Sequence, residues 1–338
     1  MPIVITPPSL QNLKVGEADA VFSRIGRDFK TNAFVGGYVF PPVRKNKLKG
    51  YVIDYPLELG QTLFNTERSP GAPFATIPRG RQTEEYTLKL HGLRSDLPVE
   101  EAIETGESVS DDINGLIYGL MFGEEYRQAF MIQNPANYLP ANVLVQAAGG
   151  YLGGDGATNI DPVPFVMNLK EQMLRDIGVE PNLMLMGYGV MNGMFDNQFI
   201  KDVLPTDSLR VINAEKLQSI FGIKKVAVGS TTIKSGLSAN SPSDFVWGNF
   251  LGLYYIHPPI LERNYDNITP YSASIINEKV LSYGMNFVYG DEGGTHPIVT
   301  PVKRDEETYT DYIQSMMNCI SVVTKKQCGI LVVNPVKP

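Results

Sequence analysis

Between Gly50 and Gly92 two strand-like runs flank a long stretch that has no regular pattern of its own. In the first run the odd positions Tyr51, Ile53, Tyr55, Leu57 and Leu59 are apolar, the alternation of a strand with one apolar face. The second run, Glu84 to Leu90, places Tyr86, Leu88 and Leu90 alternately with Thr87 and Lys89. Between them, Gly60 to Thr83 carries Pro70, Gly71, Pro73, Pro78 and Gly80, which favour irregular turns. A lone two-stranded hairpin is marginal in water, and an unstructured loop of this length is uncommon unless it serves a function. No folding partner is evident in the adjoining sequence. The expectation is therefore that this extended hairpin buries its apolar side on another copy of the chain.

The rest of the chain reads as ordered elements. Residues 1–48 form an arm, proline-rich at Pro7-Pro8 and Pro41-Pro42 yet too apolar (Ile25, Phe29, Phe34, Val35, Tyr38, Val39, Phe40) for a disordered tail. A long helix over 108–134 follows, with Ser108 and Asp111 resembling a capping pattern. Ile113, Leu116, Ile117, Leu120 and Met121 form one apolar stripe, which Tyr126, Phe130 and Met131 continue less regularly until Pro135 ends it. The middle of the chain alternates helices and short strands. Asp161-Pro162 opens a helix that Gly178 closes, Leu183 to Met186 is a strand, a helix runs through Phe195 and Val203, and Asn213 caps a helix ending at Gly222. Strands follow at Val226 to Val228, Phe245 to His257 and Tyr283 to Tyr289. The chain closes in an expected hairpin of Tyr309 to Val323 against Cys328 to Val333. In that register Cys319 and Cys328 are too far apart to bond, so both read as reduced, buried residues.

Few residues invite chemistry. His91, His257 and His296 lie far apart with no ligand-spaced neighbour. The glycine-rich run Gly149 to Gly156 lacks the lysine of a phosphate loop. Asp155, Asn159 and Asp161 lack the spacing of a calcium loop, and Gly290 to Gly294 reads as a turn. Asp305-Glu306-Glu307 and Glu100, Glu101 and Glu104 read as solvated faces, and no nucleophile elbow occurs. No cofactor and no metal are expected. The net charge of −7 gives no basic face for gripping nucleic acid apart from the short run Arg44 to Lys49, and it suits the wall of a DNA container as well as it suits many enzymes. Charged residues make up only 19 %, a weak sign of surface covered by partners. No run of about 18 apolar residues could span a membrane, and the first residues lack the marks of a signal peptide, so a cytoplasmic origin is expected.

An arm, a long two-stranded loop, a long helix, an α/β lobe and a closing C-terminal hairpin are read in that order. This resembles the tailed-bacteriophage major capsid protein family with its Hong Kong 97-type α+β fold. The phrases Pro181-Asn182-Leu183-Met184-Leu185-Met186-Gly187, Asp196-Asn197, and Leu209 to Leu217 leading to Val226-Ala227-Val228-Gly229 are similar to that family as well. The resemblance implies an N-terminal arm over 1–48, an extended loop over 49–92, a peripheral domain with a spine helix over 93–135 and 301–338, and an axial domain over 136–300. It implies a structural subunit, not an enzyme, assembling as pentamers and hexamers into an icosahedral head. That head would enclose double-stranded DNA without sequence-specific binding. Scaffold and portal proteins, and a cement or decoration protein, are its implied partners, and the virion its implied location after assembly in the host cytoplasm.

Expected inter-subunit residues in the loop are Glu67, Arg68, Arg79, Arg81, Glu84 and Glu85 as charge partners, with Phe64 and Phe74 as apolar anchors. On the spine, Glu124, Glu125 and Arg127 are expected to receive a neighbour's arm. Two departures from some family members stand out. No lysine lies between Gly50 and Leu88, so a lysine–asparagine weld at the loop tip is not expected, and the arm starts near Met1, so any scaffold is expected to be a separate protein. The alternatives are an encapsulin-like nanocompartment shell, a cytoplasmic α/β enzyme, or another virion component such as a tail or decoration protein. Particle contents, oligomer size and pocket chemistry separate them.

Overall fold

The computed structural model describes residues 34–54, 82–100, 109–146, 150–153, 159–203, 213–236, 241–257, 281–289, 297–300 and 302–337. Six helices are described: α1 (Gly36–Val39), α2 (Val109–Gln133), α3 (Pro162–Ile177), α4 (Tyr188–Phe195), α5 (Gln198–Val203) and α6 (Ala214–Phe221). Local chemistry sets their ends. The Asp161 carboxylate, one of the would-be calcium ligands, accepts from Val163 N at 2.9 Å and starts α3. Asn213 accepts from Lys216 N at 3.0 Å and starts α6. Gly178 (φ 76°) and Gly222 (φ 60°) close these helices in the left-handed conformation that a Cβ disfavours.

Two sheets share one hydrophobic core. The first has five strands: β5 (Val143–Val145), β15 (Gly329–Val333), β10 (Phe250–Tyr254), β6 (Leu183–Gly187) and β7 (Lys225–Gly229), in that spatial order. Every residue of β6 and β10 is buried, as unbroken apolar runs require when both faces are covered. The second sheet has six strands built around the long β14 (Thr310–Val323). Along one edge of β14 runs β4 (Lys89–Pro98), paired from Pro98 opposite Thr310 to Lys89 opposite Cys319. The other partners of β14 are β13 (Lys303–Asp305), β12 (Ile298–Val299) and β11 (Gly284–Tyr289), and β1 (Pro42–Lys45) runs parallel to β11. Two small ribbons complete the fold: β2 (Lys49–Asp54) with β3 (Gln82–Thr87), and β8 (Thr232–Lys234) with β9 (Ser243–Phe245).

The spine helix α2 lies on one face of the six-stranded sheet. Ile113, Leu116 and Ile117 pack with Val299 and Ile313, and Leu120 with Val288, Met317 and Cys319. Side chains alternate along a strand, so Phe287 points to the opposite face, where its ring lies 4.5 Å from Tyr86. The root of the β2–β3 ribbon thus covers the face away from the helix. Lys45 of the basic run sits here too, its ammonium 4.7 Å from the Phe287 ring, which removes it from any nucleic-acid face.

Several expectations need correction. The segment Gly50 to Gly92 does bury part of its apolar side in its own subunit: Val52, Tyr86 and Leu88 belong to the main core, and β4 is paired along its length with β14. The run Glu84 to Leu90 is split at Leu88, which donates to Leu48 O at 2.8 Å. In the register Tyr51 opposite Glu85 and Val52 opposite Glu84, Val52 is buried and Tyr51 is 60 % exposed, so the ribbon is apolar on both faces rather than on the odd one alone. Tyr126 and Phe130 do not continue the buried stripe. They are exposed, and the buried line passes instead through Glu124, Glu125, Gln128, Ala129 and Ile132. The C-terminal hairpin does not form, because β14 and β15 belong to different sheets. Cys319 and Cys328 are both free and buried, now kept apart by that separation. The expected strand Phe245 to His257 breaks into β9 and β10 around Trp247.

The chain also passes back and forth between the sheets. Strand β11 joins the spine-bearing sheet, whereas β15 returns to the five-stranded one. A buried tyrosine cluster ties the two together at the end of the spine. Tyr138 donates to Ile132 O at 2.6 Å, its hydroxyl lies 2.8 Å from that of Tyr254, and its ring stacks on Tyr283 at 5.2 Å. Burial holds all three phenols above their ordinary pKa, so they remain neutral.

Candidate assembly surfaces

The inward side of the spine helix carries a polar line in an otherwise apolar contact. Glu125 accepts from Val35 N at 2.8 Å, from Gly36 N at 2.9 Å and from the indole N–H of Trp247, the one tryptophan of the chain, at 2.9 Å. This carboxylate fastens the arm and the β9–β10 connection to the spine. Burial pushes Glu125 up to about 7, against the pull of its three donors and with some help from Glu124. Glu124 accepts from Asn286 Nδ2 and from Gln128 Nε2, the latter at 3.2 Å, and Gln128 also donates to Ser321 Oγ at 3.2 Å. Arg127 lies half-buried beside Cys319, whose thiol burial holds far above its usual range and hence unreactive.

The structure therefore places Glu124 and Glu125 inside the subunit, with hydrogen-bond partners from their own chain, and the arm that Glu125 receives is its own. Glu84 and Glu85 stand exposed on β3 at the mouth of the loop. Phe64, Glu67, Arg68, Phe74, Arg79 and Arg81 lie outside the described residues.

The sequence signal missed at first is a row of aromatics on the outer side of the same helix. Tyr118, Phe122, Tyr126 and Phe130 recur at four-residue steps. Phe34 of the arm packs beside the first two, with ring centroids 5.6 Å from Tyr118 and 6.5 Å from Phe122, and Tyr118 is still 46 % exposed. Tyr126 is 46 % and Phe130 69 % exposed.

Some of the candidate residues have structural roles among the described residues, whereas His296, Asp155, Glu101, Glu104 and the run Gly290 to Gly294 lie outside them. Asp305 accepts from Glu307 N at 3.1 Å and so builds a turn. Tyr151 and Gly153 of the glycine-rich run bridge to Asn159 and Val336. Among the described residues no group of three or more His, Cys, Asp or Glu side chains could hold a metal ion. No described helix is long and apolar enough to cross a membrane.

Two asparagines from the resembling phrases have clear structural work. Asn182 Nδ2 donates to Ile256 O at 2.5 Å while its Oδ1 accepts from Ile256 N at 2.9 Å. Asn197, fully buried, donates to Leu152 O at 2.8 Å and Ile160 O at 3.0 Å, and accepts from Phe199 N at 2.9 Å.

No protein-family model matches the sequence. It is 23 % identical over 274 residues to the major capsid protein of Burkholderia phage BcepMu, covering 80 % of this chain and 81 % of that one. Among solved structures, a phage-related protein of Bordetella bronchiseptica RB50 superposes with a TM-score of 0.71 at 19 % identity, over 95 % of this chain and 98 % of that one. The mature capsid of bacteriophage PhiM1 gives 0.51 at 12 % identity over 90 % of this chain and 88 % of that one. The capsid of cyanophage P-SCSP1u gives 0.52 at 12 % identity over 97 % of this chain and 98 % of that one. The chain thus has the mixed helix-and-strand fold, of the Hong Kong 97 type, that phage capsid proteins adopt, and in sequence it is similar to a bacteriophage major capsid protein.

Proposed function

We propose that this chain is the major capsid protein of a tailed bacteriophage, a structural subunit with no catalytic task. It assembles as pentamers and hexamers into the icosahedral head that encloses double-stranded DNA, and it resides in the virion after assembly in the host cytoplasm. The observation that carries this reading is the likeness to a phage major capsid protein along four-fifths of both chains, joined to a capsid fold covering nearly all of this one.

Physical features support it. Tyr51 on the β2–β3 ribbon and Tyr126 and Phe130 on the outer spine stay exposed, surface that association can bury. At about 25 cal/mol per Å² of apolar area, modest contacts repeated around a closed shell outweigh the ordering cost of arms and loops. In this reading the arm spans 1–48 and the extended loop 49–92. The peripheral domain, over 93–135 and 301–338, is built on the spine and the six-stranded sheet. The axial domain, over 136–300, is built on the five-stranded sheet, and strands β11 and β15 cross between the two. Scaffold and portal proteins act during assembly. A cement protein or interlocked arms fasten the shell in place of a loop-tip lysine weld.

Electron microscopy of the purified recombinant protein tests the reading. Closed shells of megadalton size are expected, and a small soluble oligomer at all concentrations would overturn it.

A further inference from the structure

We propose that Glu125 is a proton-operated latch for the arm: while its carboxyl is protonated, Val35 and Gly36 are held against the spine helix, and when it ionises that stretch of the arm opens while Trp247 stays seated. The device belongs to the single subunit, so it goes beyond the shell reading above and is tested apart from it.

One carboxyl group joins two segments that are distant in sequence. Glu125 Oε1 accepts from Val35 N at 2.8 Å and from the Trp247 indole N–H at 2.9 Å, and Oε2 accepts from Gly36 N at 2.9 Å. The arm lies directly on this group, because a Cβ at Gly36 would collide with Glu125 Oε2 and Gln128 Oε1. The two segments differ in what else holds them. Beside Trp247, Gln133 Nε2 donates to Val246 O and Gly248 N donates to Gln133 Oε1, both at 3.0 Å. Trp247 is also fully buried, with its ring against Phe250. The Val35 and Gly36 amides, by contrast, both donate to Glu125. The arm is next fixed at Val39 and Phe40, both fully buried, and at Pro41 O, which accepts from Asn286 N at 2.9 Å. Opening is therefore confined to the stretch before Val39.

Charge decides when it opens. The three groups that donate to Glu125 are neutral N–H groups, and a buried carboxylate held only by neutral donors is costly. The preceding residue, Glu124, is buried as well, and its charge opposes a second one. The arm from Phe34 to Gly37 and the connection from Val246 to Asn249 carry no titratable side chain. Farther out, His91 of β4 interacts with Glu124, Arg127 and Lys89, and Lys225 of β7 lies over the Tyr38 ring at 4.9 Å. Gln128 Oε1 faces the same glycine and is placed to accept the proton of the neutral carboxyl, while its amide nitrogen is taken by Glu124 and Ser321. Burial thus lifts Glu125 from 4.5 to about 7 in the closed arm. Between these values the closed arm holds a proton that the opened arm has lost. The opening equilibrium therefore rises about tenfold per pH unit, roughly 300-fold in all, and levels off above pH 7.

Amide hydrogen exchange of the full-length chain from pH 5 to 8, corrected for the intrinsic exchange rate, tests the latch. At Val35 and Gly36 the corrected opening is expected to climb with pH and to level off near pH 7. Low urea should leave it unchanged, the mark of a local opening. Over the same range the emission of Trp247, the one tryptophan, should stay shielded from acrylamide. In Glu125→Gln, neutral at every pH, the opening should not vary with pH, and in His91→Gln the climb should persist. A flat profile in the unmodified chain would overturn the latch, and so would a climb that survives in Glu125→Gln or vanishes in His91→Gln. An opening as sensitive to urea as exchange in the buried strand β6, or a Trp247 that becomes quenchable along with the arm, would overturn it too. Should Glu125→Gln fail to fold, the profiles of the unmodified chain and of His91→Gln, with the urea series, still decide between these outcomes.

Discussion

Glu125 shows how one buried carboxylate can set a property of the subunit. Its two oxygens hold the arm at Val35 and Gly36 and the Trp247 indole, while burial raises its pKa from 4.5 to about 7. Between these two values the native state binds a proton that the unfolded chain has lost. Stability from this group is therefore fully present below about pH 4.5 and declines as pH rises through 7. Its size is on the order of 3 kcal/mol. Chemical denaturation from pH 4 to 8 of the protein and of Glu125→Gln should show the difference between them narrowing or reversing along that window. A difference independent of pH would refute the assignment. Asn197 is a second residue whose work is local. Asn197→Ala leaves the carbonyls of Leu152 and Ile160 and the Phe199 amide without their partner, so a loss of roughly 2–4 kcal/mol is expected in urea unfolding.

At the scale of elements the spine helix is two-sided. Its inner face is fixed by Ile113, Leu116, Ile117 and Leu120 against the six-stranded sheet, and its outer face carries the aromatic row. Ile117→Ala, at a fully buried position, should cost about 2–5 kcal/mol. Phe130→Ala, one helical face away, should leave subunit stability within about 0.5 kcal/mol. Equal losses at both sites would contradict the two-sided helix. The ribbon divides in the same way. Its root is held by Tyr86 on Phe287, so replacing residues 55–81 with Asn-Gly, the turn suited to a two-residue hairpin between Asp54 and Gln82, should preserve the subunit fold. Circular dichroism should stay native while particles disappear by sedimentation. Shells formed without the loop would show that it has no part in assembly.

For the whole molecule, the fastening of the proposed shell gives the sharpest expectation. With no lysine between Gly50 and Leu88 to react at the loop, particles dissolved in denaturant should run as a single subunit band. A ladder of covalently joined subunits would point to a weld elsewhere in the chain. The interleaving of the two sheets also predicts one cooperative unfolding transition, because β11 and β15 each cross to the other sheet and the tyrosine cluster joins them. Two separate transitions by calorimetry would mean that the sheets melt independently.

The sequence by itself determined the elements whose causes are local. The spine helix, the Asp161 and Asn213 caps, the glycine stops at 178 and 222, and the fully apolar strands at 183 and 226 follow from spacing and capping chemistry within one segment. The order of elements and a few phrases also sufficed to reach the capsid resemblance. Tertiary structure alone decided the rest. That Glu125 is an internal clamp depends on Trp247 and Val35, both distant in sequence. That β14 and β15 part into different sheets depends on β4 and β10 competing successfully for them. That Tyr51 faces outward while Val52 is buried depends on the ribbon's register over Phe287. Alternation shows which residues share a face, but only the partner laid against the strand determines which face is covered.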